Sequence, residues 1–544
     1  MPPLVPSVQI DDTPDFRNVW RAVGFSDLFM PLDDLLVRGG DGRLALDRPR
    51  GVNEYGCGPF PSPDIWCFAS STASPISQVA YERVGLAREK LLRSAIAVGF
   101  EEAFDTRIEE MREELKASLE LSAAEVEVIF SPSGTDAQLQ ALALARCLLG
   151  AKLTTIVVAA DQTGSGTAYT ARGHHFSSRT AAERVVRKDA PIAGLGGNSI
   201  ALPLLATSLG IEARADGDNA VLEAIETAVS GGACVLLQIM DSSKLGWRAP
   251  SEACLDEIAW RWPDRVQVVV DACQMRLSRR RLETYLDRGY MVLITGSKFF
   301  GGPAFSGALL FPATLVRSFE HAEGIAGGLV DYASRSDWPK RLTRWRSRFE
   351  SRPNIGQWLR WEAALSEMTT YYGLPAAFRT LALRELGRTI ASLIALSPSL
   401  RPVPCGMNGS DAEDEEFAQA TIFPFTVHRD GDVLSATNCR LLHRALMRDC
   451  GELFSDSPAD RAIAAQPCLV GQPVRIERQG AAPTAVLRLC VGARLVAEAW
   501  SSDEGAAHQN LLHAADRVAG IIAKIELLLA GGGWPEFTEL THGN

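Results

Sequence analysis

The chain has 544 residues, long enough for two or three domains with cores of their own. Hydrophobic residues make up 46% and charged residues 22%, the balance of an ordinary soluble globular protein. The formal net charge of −11 offers no basic surface and argues against nucleic acid as a partner. The 11 cysteines are scattered without a CxxC pair, which suits a reducing cytoplasm. The 8 histidines show no ligand spacing beyond the adjacent His174-His175, so no metal site is expected. Met1-Pro2-Pro3-Leu4-Val5 lacks the basic start and apolar core of a secretory signal. No apolar run reaches about 18 residues, so no membrane span is expected.

Residues 1–95 lack a clean alternating pattern and read as an N-terminal arm. Gly51 to Ile76 is rich in Gly, Pro and Ser, which is loop chemistry. From Ile96 to Leu121 the pattern is helical, with Glu109, Glu110, Arg112, Glu113 and Glu114 on a solvated face. Apolar runs then predict strands at Val126–Phe130, Thr154–Ala160, Ile200–Leu205, Cys234–Met240, Val266–Val270, Met291–Thr295 and Gly307–Phe311, with helical segments between several of them. That alternation predicts a mostly parallel α/β sheet within residues 96–372. A helix is expected from about Trp358 to Tyr372. Residues 373–544 read as a smaller α+β domain: a long helix to about Leu396, a solvated acidic loop from Asn408 to Glu416, and strands at Ala420–Val427, Leu469–Arg478 and Ala485–Val491.

Ligands on such sheets bind where the strands end. Met291–Thr295 ends in Thr295-Gly296-Ser297-Lys298-Phe299-Phe300-Gly301-Gly302-Pro303. A lysine there is costly while charged and unpaired, and that cost favours Schiff-base chemistry, although surface hairpins carry lysines too. The strand before it ends in Asp271-Ala272-Cys273-Gln274, whose carboxylate wants a cation. Val126–Phe130 leads into Ser131-Pro132-Ser133-Gly134-Thr135-Asp136 and then a helix, a geometry that offers free N–H groups and a positive dipole end to a phosphate. Phosphate cradle, aspartate and lysine together fit pyridoxal 5'-phosphate (PLP).

In order and spacing these three segments resemble the fold-type-I PLP enzymes, specifically the class V aminotransferase and cysteine desulfurase group, over roughly residues 100–370. The resemblance implies a large PLP domain with a seven-stranded-type sheet, an amino-acid substrate, and a cytoplasmic homodimer with its active site at the interface. It implies Lys298 and Asp271 as catalytic residues. Ser133, Gly134, Thr135, Gln274, Thr295 and Ser297 would help to bind the cofactor. Ser243, in Asp241-Ser242-Ser243-Lys244-Leu245-Gly246-Trp247, stands where the family has an asparagine against the ring hydroxyl. Arg352 stands where the family reaches across to the neighbour's cofactor phosphate. Arg488, in Val486-Leu487-Arg488-Leu489-Cys490, matches the arginine that grips the substrate α-carboxylate. In the family an N-terminal arm crosses near the mouth of the site, so Tyr55 and the Ser70–Ser74 run would be substrate contacts, the alternative being an arm packed on the large domain or on a dimer partner. The chain departs from the pattern after Thr154–Ala160: no histidine follows directly to stack on the ring, which leaves His174, His175, Gln162 and Thr163 as alternatives. Cys468 reads as the start of a strand and not as a persulfide carrier. The activity expected is transamination, with a C–S lyase or desulfurase-like enzyme, or a non-catalytic scaffold, as the alternatives.

Overall fold

The computed structural model describes residues 24–530 except 123, 207–211, 214–215, 322–324, 405–415, 455, 478–479 and 481. The acidic loop expected from Asn408 lies outside the described residues up to 415, as does Arg478. Glu416, described again, accepts from the Arg379 guanidinium at 3.0 Å.

The larger sheet runs in the order Val126–Ser131, Gly307–Pro312, Met291–Thr295, Val266–Asp271, Cys234–Met240, Leu153–Val158, Asn198–Leu202. Gly307–Pro312 is antiparallel to both neighbours, and every other pair is parallel. Buried along their whole length, four of its strands are mostly apolar without a polar–apolar alternation, so each reads as a strand on its own. The second sheet runs Trp66–Phe68, Cys468–Ile476, Thr484–Cys490, Ile422–Arg429, Leu400–Pro402, with Asp432–Val433 pairing Ile422–Arg429. The chain is therefore an α/β protein with a second, smaller sheet, as expected.

The region before residue 96 differs from its reading as an irregular arm. Trp66–Phe68 is a strand, parallel to Cys468–Ile476, with Trp66 opposite Cys468. Gln78–Val98 is a helix capped by the Ser77 hydroxyl, which accepts from the Ala80 N–H. Its buried residues are Ala80, Val84, Leu91 and Ala95, two of them alanines, so the apolar stripe is too slight to register in composition. Gly99, at φ +90°, ends it, and a second helix, Phe100–Ser118, comes next.

Ile355–Tyr372, a helix buried on nearly every side, joins these parts. Trp361 donates to the Gly307 carbonyl at 3.0 Å and its ring lies 5.1 Å from that of Phe130. The Glu362 carboxylate, fully buried, accepts from Trp358 at 3.0 Å and from Arg107 at 2.6 Å. The same helix presses on the lysine turn. A Cβ at Gly296 would stand 2.4 Å from that of Ala364, so only glycine fits there. Among the described residues, no helix is long and apolar enough to cross a membrane, and no cluster of three His, Cys, Asp or Glu could hold a metal ion.

Removing Arg107 leaves the buried Glu362 carboxylate with Trp358 and the half-exposed Arg83, 3.7 Å away. Arg107→Ala should lower stability by about 1–3 kcal/mol in chemical denaturation, and less in an Arg107→Ala/Glu362→Gln double variant.

Candidate active site

Three strand ends meet at one place. After Val126–Ser131 the chain turns through Ser133, whose hydroxyl caps the helix Gly134–Leu149 by accepting from the Asp136 N–H at 3.2 Å. The same hydroxyl donates to the Asp136 carboxylate at 2.5 Å. Gly134 has no Cβ for a reason: one built there would stand 2.6 Å from the Cys273 sulfur. On the neighbouring turn, Asp271 accepts from the Cys273 N–H at 3.2 Å, and Thr295 donates to the Cys273 carbonyl at 2.7 Å. The aspartate turn is thus fastened to the lysine turn and packed against the helix start.

The result is a cavity of about 280 Å³. Ser133, Gly134, Thr135, Asp271, Gln274, Thr295, Ser297, Lys298, Tyr55 and Arg488 all line it. Ser71 and Thr72, from the Ser70–Ser74 run, line it too. Lys298 makes no hydrogen bond or ion pair among the described residues.

Arg276 ties the walls together. Its guanidinium donates to the Gln274 carbonyl (3.0 Å) and side chain (2.8 Å), to the Ser70 hydroxyl (2.9 Å) and to the Thr421 hydroxyl (2.9 Å). Gln274 in turn donates to the Ser71 carbonyl at 3.0 Å. Burial, with no carboxylate to offset it, pushes the Arg276 pKa down to about 10. Arg488, on Thr484–Cys490, is a second buried guanidinium whose acceptors are neutral. It donates to the Lys244 carbonyl (3.3 Å), the Gln472 carbonyl (2.5 Å) and the Thr72 hydroxyl (3.3 Å), and its Nε is left without a partner. Burial lowers its pKa to about 10 as well.

Ser243, expected at this site, is not brought here, and Arg352, expected to serve a neighbouring copy, lies outside the cavity. The Ser243 hydroxyl is taken up by its own turn, accepting from the N–H groups of Leu245 (3.1 Å) and Trp247 (3.0 Å), and its neighbours Ser242 and Lys244 face the cavity instead. Arg352 donates to the Ala333 carbonyl at 3.3 Å and lines a separate cavity of about 160 Å³ beside Arg38 and Glu183. Of the ring-covering alternatives, Gln162 and Thr163 line the site, and Gln162 keeps a buried side-chain oxygen without a donor. His174 pairs with Asp189 at 2.9 Å, and His175 with the Tyr332 hydroxyl at 2.6 Å, both elsewhere. Cys468 is buried with its thiol pushed up to about 11 by that burial.

Two cations of the site are not among the residues expected from the sequence. Arg43 reaches the helix start, donating to the hydroxyls of Ser133 (3.3 Å) and Thr135 (3.4 Å), and pairs with Asp41 at 2.7 Å. Burial works against its charge, but Tyr55 and Asp41 more than offset that, and its pKa rises. Nothing local in Asp41-Gly42-Arg43 signals the site. Lys244 did carry a signal, because it comes after the end of Cys234–Met240 as Lys298 comes after its own strand. Burial, then Arg488 and Lys298, lower its pKa to about 8.

No protein-family model and no curated protein matches the sequence. Solved structures that resemble the chain include an Oryza sativa TDC with PLP (15% identity, 87% of this chain and 85% of that one, TM-score 0.47). Others are the cystine C–S lyase C-DES with its product cysteine persulfide (15%, 82% and 97%, 0.43) and a phosphoserine aminotransferase, SerC, from Cytophaga hutchinsonii (14%, 83% and 98%, 0.43). At that level of similarity the chemistry is carried by the residues of the cavity.

Asp136, beneath the helix start, has its pKa raised to about 7, first by burial and then by the Asp41 charge. Between the ordinary carboxylate value and about 7 the folded protein keeps a proton that the unfolded chain releases, so this group makes stability fall as pH rises through that window. Asp136→Asn should flatten the fall in the urea midpoint between pH 5 and pH 8. The same slope in both proteins removes the assignment.

Proposed function

We propose that the cavity binds pyridoxal 5'-phosphate and that the chain is a fold-type-I PLP enzyme of the class V aminotransferase and cysteine desulfurase group. It acts on the amino group and Cα of an amino-acid substrate, as an aminotransferase. One observation supports this above the others: an unengaged lysine, a carboxylate and the start of a long helix, far apart in sequence, line one small cavity.

The residues present suit the cofactor. The helix start, the hydroxyls of Ser133 and Thr135 and the Arg43 guanidinium would hold its phosphate, as N–H groups, a dipole end and a charge-assisted donor. Asp271, an acceptor only, would hold the protonated ring nitrogen. At an effective dielectric of about 20, opposite charges about 4 Å apart attract by roughly 4 kcal/mol, enough to keep that proton in place at neutral pH. Gln162 and Thr163 are the candidates to cover the ring, and the unpaired Gln162 oxygen awaits a donor. When bound, the cofactor supplies an electron sink for the bond broken at Cα.

Lys298 would hold the cofactor through its aldehyde. Once freed from that bond, the amine takes up and returns the proton at Cα. Arg488 would orient the substrate by its α-carboxylate, the anion a buried guanidinium lacks here. Transamination is favoured over desulfuration because the described cysteines are buried or half-buried, and burial raises the thiols of Cys273 and Cys468 away from reactive thiolate. Cys405 lies outside the described residues. The proposal includes a homodimer, in which Arg352, outside this cavity, would serve the neighbouring copy's site.

The purified protein should be yellow and should transfer an amino group to a keto acid; release of sulfide or pyruvate without transfer would replace aminotransferase by lyase, and a colourless protein that takes up no cofactor would leave a scaffold. Lys298→Ala should abolish the visible cofactor band, and its retention would refute the lysine assignment. Asp271→Asn should keep the cofactor while turnover falls about 100-fold or more; unchanged turnover removes its role. Arg43→Gln should weaken PLP uptake about tenfold or more and leave uptake of pyridoxal, which has no phosphate, unchanged. Equal loss for both would place Arg43 in the scaffold alone.

A further inference from the structure

Lys244 has no part in the chemistry proposed above, yet it lines the same cavity. Among the described residues no hydrogen bond or ion pair engages its ammonium. The charges that face it come from four elements. Arg488 on Thr484–Cys490 and Lys298 after Met291–Thr295 repel it, while Asp271 at the end of Val266–Asp271 and Asp161 after Leu153–Val158 attract it more weakly. Both carboxylates are committed elsewhere. Asp161 accepts from the N–H groups of Leu204 (2.7 Å) and Leu205 (3.2 Å), and Asp271 is the partner proposed for the ring nitrogen. None of these neighbours belongs to the helix start where Arg43 stands, so the cofactor phosphate is not the obvious counter-ion.

Lys244 and Arg488 are also physically joined. The Lys244 carbonyl accepts from Arg488 Nη1 at 3.3 Å, and Arg488 Nε is buried without a partner. Two cations that line the same small cavity, one of them fully buried, are unfavourable until anions neutralise them. A single α-carboxylate meets the needs of one.

We infer that Lys244 and Arg488 form a two-cation receptor, and that the substrate is an amino acid carrying a second anionic group, a carboxylate or a phosphonate-like oxyanion, on its side chain. Arg488 takes one anion and Lys244 the other. This inference rests on the amino-acid reading of the site for its substrate class; the cation pair itself does not. An apolar or neutral side chain would leave the Lys244 charge buried and unmatched, which excludes such substrates by cost and not by shape.

The test is calorimetric titration of the purified protein, with and without added PLP, using succinate, 3-phosphonopropionate and butyrate. The first two carry a second anion, and butyrate matches succinate in carbon number without one. At pH 7, succinate or 3-phosphonopropionate should bind about tenfold tighter than butyrate or better. Lys244→Met should erase that preference and leave butyrate binding unchanged, and Lys244→Arg should keep it. The preference should fall as pH rises past about 8, where Lys244 loses its proton, in the parent protein but not in Lys244→Met. Equal binding of the three ligands overturns the inference, and so does a preference that survives in Lys244→Met. Weakened cofactor uptake in that variant with the preference intact assigns Lys244 to the cofactor and likewise overturns it. Failure to take up PLP at all fails the cofactor reading instead, because the preference can be read on the unloaded chain.

Discussion

The Arg276 guanidinium holds the site together. It stands just past the aspartate turn, and its donors are divided among that turn, the Ser70 hydroxyl of the N-terminal region and Thr421 beside the second sheet. A buried cation satisfied only by neutral oxygens is expensive, and its lowered pKa reflects that cost. The expense is tolerated because five donors in one rigid plane fix three distant stretches of chain relative to each other. Gln274 keeps its place around the cavity through this one group, and Ser71 through Gln274.

The cavity is electrostatically lopsided as a result. Arg43, Lys244, Lys298 and Arg488 face it against Glu54 and Asp271. The walls that carry these cations are otherwise well packed, from the Ala364 contact under the lysine turn to the Cys273 contact under the helix start. An anionic ligand therefore does two things at once: it fills space and relieves repulsion already built into the fold. Any such ligand should raise the stability of the folded chain in proportion to the logarithm of its concentration over its dissociation constant.

Much of this was legible because the larger sheet is buried on both faces. Its strands are rich in apolar residues, and the residues just past each of them lie at one edge, so Lys298, Asp271 and the Ser133–Thr135 turn could be placed together from the chain alone. Arg488 was legible for a related reason, as a charge inside an apolar strand. The failures have physical causes. Ser243 and Lys244 differ by one position in a tight turn, and which of two adjacent side chains faces a cavity is decided by the turn's own hydrogen bonds, here those of the Ser243 hydroxyl. Arg43 is brought to Ser133 across 90 positions by packing of an irregular segment, and no periodicity encodes that. The helix Gln78–Val98 hides because alanine does half the work of its buried face.

The strand Trp66–Phe68 has a consequence for how the protein is made. Its pairing partner is Cys468–Ile476, and Thr72 meets the Gln472 backbone across 400 positions. During translation the early segment leaves the ribosome and must wait roughly 20–80 s, at ordinary rates of elongation, for the residues it will hydrogen-bond. Through that interval its edge is open to any other nascent chain, and the lining that Ser71 and Thr72 supply cannot yet exist. The cavity becomes competent only after residues 468–476 have been made and have paired with this stretch.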